Sequence, residues 1–183
     1  MKKKIAVAVS LLLVLALSIG GTIAWLTDKT DPVVNTFTVG DINITLAETK
    51  TNFKMVPGNT IEKDPKVTVK AGSEACWLFV KVEKSNNLDS YITYGIAQGW
   101  TQLSGVDGVY YREVPATTVD EAFAVLTNDQ VMVKENVTKT MMNDLQKEDA
   151  TQPTLTFTAY AVQKDNIATA ADAWAKVSTT SNP

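Results

Sequence analysis

The 183-residue chain contains no histidine and a single cysteine, Cys76. The first absence excludes Ser-His-Asp chemistry and histidine-ligated zinc, and the second excludes a disulfide framework within the chain. Basic residues are not in surplus either. Seventeen Lys+Arg stand against 20 Asp+Glu, a net charge of −3, so nothing here favours nucleic acid as a partner. Internal repeats and low-complexity stretches are missing, as are the P-loop, G-x-S-x-G, H-E-x-x-H and paired C-x-x-C patterns. At 45% hydrophobic and 20% charged, the composition is that of one globular domain.

One long apolar run is present, at the N-terminus. Lys2, Lys3 and Lys4 precede an apolar core of 15 residues from Ile5 to Ile19, and Gly20-Gly21 then breaks the helix. Thr22 and Ala24 sit three and one positions before Trp25. A positive flank, an apolar helix and a small-x-small site are the order of a cleavable secretory signal, with Ala24–Trp25 as the scissile bond. The alternative is an uncleaved anchor, since Ile5 to Leu26 nearly spans a bilayer. The Gly-Gly break and the small residues favour cleavage. Loss of three lysines with the signal makes the mature chain more acidic, which suits solubility outside a cell. No second apolar span follows, and the ending KVSTTSNP carries no hydrophobic tail or recognisable sorting signal. The expectation is a secreted protein, free of the membrane after processing.

Beyond the signal the pattern turns to period two. Asp41–Leu46 and Lys66–Lys70 alternate cleanly, while Cys76–Glu83 opens as a continuous apolar run, as a central strand covered on both faces does. Further strands are predicted at 91–94, 109–114, 130–134 and 154–162, all rich in β-branched or aromatic residues. Turn formers separate them, among them Pro57-Gly58-Asn59, Ala71-Gly72-Ser73 and Ser85-Asn86-Asn87. Crossover helices for a parallel sheet are not evident, so the fold class is all-β, a sandwich. Two short helices are predicted. One runs from Thr138 to Gln146, with Met141, Met142 and Leu145 at helical spacing. The other is capped by Asp165 or Asn166, with Ile167, Ala170, Ala171, Trp174 and Val177 on one stripe and Trp174 as its anchor. Residues 115–129 fit helix and strand equally.

Candidate chemistry is sparse. Cys76 is either a reactive thiol or a small buried hydrophobe; nothing near it in sequence lowers a thiol pKa, which favours the second. Asp28 and Asp31, or Glu148 and Asp149, have the oxygens for calcium but lack the spaced loop that builds a cage. Trp77, Trp100, Tyr110 and Tyr111 suit a sugar-binding groove, yet at strand spacing such residues are more often core or cross-strand pairs. No catalytic, cofactor or metal residue is assigned.

Three segments resemble the TasA/camelysin family of Gram-positive bacteria. The first is GGTIAWLTDKTDPVVNTFTVGDINITLAE at 20–48, which carries a Gly-Gly-Thr-x-Ala cleavage site, Trp25-Leu26-Thr27-Asp28, Asn35-Thr36-Phe37-Thr38-Val39-Gly40 and Asp41-Ile42-Asn43-Ile44. The second is Val56-Pro57-Gly58-Asn59-Thr60-Ile61, and the third is LTFTAYAVQKDNIATAADAWAKV at 155–177, similar to the ending of clostridial members. Residues 84–150 carry no part of it.

The resemblance implies a jelly-roll β-sandwich, processing by a SipW-type signal peptidase, and a non-enzymatic role as a fibre subunit of the extracellular biofilm matrix. It also implies self-assembly head to tail, each subunit lending its N-terminal arm to the next. The domain organisation expected is a signal at 1–24, an arm at 25–39 and a sandwich at 40–183. The arm's apolar residues are Trp25, Leu26, Val33, Val34, Phe37 and Val39, interrupted by Asp28, Lys29, Asp31 and Pro32. Other matrix proteins or exopolysaccharide are further candidate partners. Two competing expectations stand beside this one. Camelysin itself is classed as a surface metalloprotease, and a monomeric surface adhesin or accessory matrix protein fits the same features.

Overall fold

The structure is a computed structural model that describes residues 41–180, with side chains to Val177. The residues assigned above to signal cleavage (Thr22, Ala24, Trp25) and to the arm (Trp25 to Val39), with Asp28 and Asp31, lie outside the described residues.

Among the described residues the chain forms ten strands in three antiparallel sheets. One sheet joins β1 (Ile44–Ala47), β3 (Lys66–Val69) and β8 (Glu121–Ala124) in the order β1-β3-β8. A second has the order β10-β4-β7-β6, from β4 (Cys76–Lys84), β6 (Thr101–Gln102), β7 (Val109–Val114) and β10 (Leu155–Gln163). The third is β2-β9-β5, from β2 (Thr60–Glu62), β5 (Ile92–Thr93) and β9 (Gln130–Val133). Between β2 and β3 the chain stays bonded to the segment between β8 and β9: Val125 N donates to Pro65 O, and Lys63 N to Asp129 O. The two small sheets are thereby stitched together at Lys63–Pro65.

Strand β4 is central, as its continuous apolar run predicts. Its two faces are buried in different cores. Cys76, Leu78, Val80 and Val82 pack with Val67 and Val69 of β3, with Val114, and with Phe157 and Ala159 of β10. Trp77 and Phe79 point the other way, to Val109 and to a helix near the C-terminus. A third core gathers Ile92, Val131 and Val133 with Leu88, Tyr91 and Val137. The turn at Val56-Pro57-Gly58-Asn59 is closed by Asn59 N donating to Val56 O at 3.0 Å. Gly58 takes φ +78°, the left-handed position that follows a turn proline.

Three short α-helices, α1 (Leu88–Tyr91), α2 (Lys139–Asp144) and α3 (Ala170–Thr180), and a 3₁₀ turn at Thr127–Asp129 complete the described residues. The predicted strand 91–94 shrinks to Ile92–Thr93, because the chain leaving Ser85-Asn86-Asn87 first makes one helical turn that Tyr91 ends. In α2, Thr138 accepts from Met141 N at 3.2 Å and fixes the predicted start. Helix α3 starts later than predicted. Thr169, rather than Asp165 or Asn166, accepts from Asp172 N at 3.1 Å. Asn166 instead sits at φ +63° in the preceding turn. The buried stripe accordingly uses Ala173 in place of Ala171, which is exposed. Residues 121–124 of the ambiguous stretch are strand.

Candidate functional site

Strand β10 has β4 on one side, paired through all nine of its residues, and no hydrogen-bonded strand on the other among the described residues, although β1 packs near it without pairing. Two cavities run along that open side. One, of about 480 Å³, is lined by Ala159, Tyr160, Ala161 and Val162, by Ile42 and the β1 residue Ile44, and by the end of the C-terminal helix at Lys176 and Val177. The other, of about 740 Å³, is lined by six consecutive residues from Gln152 to Phe157, by Leu46 to Glu48, and by Phe53 and Lys63. Successive strand residues point to opposite faces, so a cavity touched by consecutive ones lies beside the strand and not over a face. The smaller cavity therefore borders the unpaired edge of β10, and the larger one reaches from that edge at Leu155–Phe157 inward to Ile61, Ile92 and Val131; backbone N–H and C=O groups of an unpaired edge are open to another strand.

The larger cavity holds a buried charge. Lys63, 8% exposed, donates from Nζ to Glu48 Oε1 at 2.6 Å. Its ammonium also lies 5.1 Å from the Phe53 ring centre and 5.3 Å from that of Phe157. Removal of an ammonium from water is costly unless it is paired, and here the carboxylate and two ring faces compensate it. Thr49, next to Glu48, donates from both its N–H and its hydroxyl to Asp64, next to Lys63, at 2.9 Å and 2.5 Å. Those bonds hold the Asp64 carboxyl below its usual pKa and tie the two strand ends that carry the ion pair.

The sequence contained this site's signal. Period-two alternation runs back from Val69 and Val67 through Pro65 and Lys63 to Ile61, and the inward residues of that register are buried or half-buried. Lys63 reads as part of a polar cluster, Glu62-Lys63-Asp64, only if the register is ignored. Arg112 on β7 is a second inward charge. It stacks 3.9 Å from the Phe123 ring centre and 5.4 Å from Trp100, and burial lowers its pKa.

The other candidate residues are placed as follows. Cys76 is fully buried and free, and burial pushes its thiol up to about 11. The four aromatics do not share a groove. Trp100 is buried on the inner side, with Nε1 donating to Ala124 O at 2.8 Å, and Tyr110 joins that core. Trp77 and Tyr111 form an edge-on pair on the opposite face, ring centres 5.9 Å apart. Glu148 and Asp149 lie in the exposed stretch after α2, and no group of three potential metal ligands occurs among the described residues.

Comparison with known proteins bears on the N-terminal part. Residues 1–82 match the family model described as camelysin metallo-endopeptidase. Neither the curated proteins nor the solved structures give a match. The matched span ends within β4 and includes Glu48, Phe53 and Lys63 of the larger cavity. Over residues 1–82 the chain matches the camelysin family, the family that includes TasA-like proteins, and the resemblance read from its N-terminal residues stands.

Proposed function

We propose that this protein is a secreted, fibre-forming structural subunit of an extracellular matrix, cut at Ala24–Trp25 and assembling by donor-strand exchange. The observation that carries the reading is the unpaired edge of β10 with a cavity toward each end. An extended arm added there satisfies the edge's backbone groups, while its alternate side chains enter the cavities and set register. Donor and acceptor surfaces differ, so the contact is head to tail and need not close, which yields a filament. The jelly-roll form of the sandwich, the SipW-type peptidase and the matrix partners belong to this same reading.

The energetics suit exchange into a prepared slot. Ordering about ten arm residues costs roughly 10–20 kcal/mol. Burying four large apolar side chains returns roughly 6–12 kcal/mol. Each added ladder bond contributes about 0.5–1.5 kcal/mol. The sum is near balance, so a preformed acceptor decides the outcome and nucleation is slow. Electron microscopy and size-exclusion chromatography of the secreted protein test the reading. Wild type forms filaments, and deletion of Trp25 to Val34 leaves a folded monomer without them. Filaments from the deleted chain refute donor-strand exchange, and a wild-type monomer at all concentrations favours an adhesin or accessory role.

The family model's description supports a second reading, a surface metallo-endopeptidase. Casein hydrolysis that survives purification and is abolished by a chelator would establish it.

A further inference from the structure

We infer that the cavity around Lys63 is an aromatic anchor site, and that it receives the indole of Trp25 from a second copy of the chain. The inference rests on the fibre reading and specifies the chemistry of its joint. Lys63 lines the cavity with its charge already compensated by Glu48. A carboxylate entering there meets no net positive charge, and an aliphatic group leaves the ammonium facing hydrocarbon. An aromatic face suits both the apolar wall of Leu46, Met55, Ile61 and Leu155 and the ammonium, whose attraction to rings grows as water leaves. Phe53 and Phe157 already supply two such faces, and an indole, the best of them, supplies a third.

Among the four tryptophans, three are used within the body. Trp77 and Trp100 are buried, and Trp174 packs on Phe79 and Tyr160. Trp25 is the fourth and heads the arm. Phe37 is a poorer occupant. It lies five residues before Ile42 of its own subunit, so its tether to that body is short, whereas Trp25 stands twelve residues further out along the arm. The stretch from Trp25 to Val39 extends to about 50 Å, ample to cross from one body to the next.

A disulfide trap tests this on the secreted, processed protein. In a Cys76→Ala background, one batch carries Leu26→Cys and another Phe53→Cys, with Met55→Cys as a second acceptor should Phe53→Cys fail to fold. Mixed, assembled and oxidised, the two batches give reducible dimers that neither gives alone. Truncation Trp25→Ala raises the critical concentration for filaments about 30-fold, as loss of a buried anchor does, and Trp25→Phe raises it less than about tenfold. Filaments that form without the mixed dimer at either acceptor position, or that ignore Trp25→Ala, overturn the anchor site and leave the fibre reading standing. Absence of filaments from wild type overturns both.

Discussion

Trp77 donates its indole N–H to the carbonyl of Ile167 at 3.1 Å. The bond ties the outward face of the central strand β4 to the turn that launches α3. Helix α3 then lays Trp174 against Phe79 at 5.2 Å and Tyr160 at 5.4 Å between ring centres. Tyr160 belongs to β10, so the helix braces the strand whose other edge is open. A helix of about three turns is marginal alone and depends on this docking. Trp174→Ala is expected to lower stability by about 3 kcal/mol, the lower end for an aromatic truncation because the residue is only half-buried. Urea denaturation followed by circular dichroism measures it; a loss under about 1 kcal/mol contradicts the bracing role.

Lys63 and Glu48 form the most enclosed ion pair among the described residues, with side chains 10% and 16% exposed. Removal of one partner strands the other away from water. Glu48→Leu or Lys63→Met is therefore expected to cost about 3 kcal/mol each, and the double variant Glu48→Leu/Lys63→Met much less than their sum. A double-mutant cycle in urea reads the coupling. Additive losses would mean that the two charges are stabilised independently.

How much of this was legible beforehand follows from where each signal resides. The two-sided burial of β4 was written in its apolar run, β3 in its alternation, and β7 in its β-branched and aromatic content. Two elements moved for local reasons that only the folded chain decides. Tyr91 is apolar enough for a strand, but the turn at Ser85-Asn86-Asn87 carries it into a helical turn first. Thr169 outcompetes Asn166 as the cap of α3 because Asn166 is held in a left-handed turn, where Ile167 N donates to Lys164 O. The cavity at Lys63 needed pairing information. Residues 46–48, 53, 63 and 152–157 meet across more than 100 positions of sequence, and periodicity says only that Lys63 points inward.

Acid should weaken the fold through two carboxylates, the half-buried Asp64 and the exposed Asp120. Asp64 is held below its usual value of 3.8 chiefly by the Thr49 hydroxyl and N–H, and Asp120 by the Lys70 ammonium and the Ala71 N–H. A carboxyl depressed in the folded state contributes stability above its unfolded pKa and loses it as pH falls through the folded one. The window therefore opens near pH 4 and extends downward. Urea midpoints between pH 5 and pH 2 are expected to fall, and to fall less steeply for Asp64→Asn/Asp120→Asn. An unchanged slope in that variant would assign the acid sensitivity elsewhere.

Burial at Cys76 raises its thiol pKa to about 11 and removes it from solvent, so the thiolate is scarce at neutral pH. Labelling by iodoacetamide is expected to be negligible in the native protein and complete in urea. The inner face of β4 carries this residue opposite Gln163 of β10 and Val114 of β7, so labelling under native conditions would report opening of the central sheet. Rapid native labelling without loss of structure contradicts the placement.

The open edge of β10 makes a last prediction that needs no change to the body. A synthetic peptide spanning Trp25 to Val39 presents the donor's side chains without a second subunit attached. Bound to the end of a growing filament, it fills the acceptor slot and offers no further slot of its own. Growth at that end stops, so substoichiometric peptide is expected to shorten filaments and excess peptide to suppress them. The same peptide with Trp25 replaced by Ala should need about 30-fold more for equal effect, in line with the truncation of a buried anchor. Light scattering of wild-type assembly against peptide concentration gives both values. A peptide that leaves growth untouched at concentrations well above that of the protein would place the subunit contact somewhere other than the β10 edge.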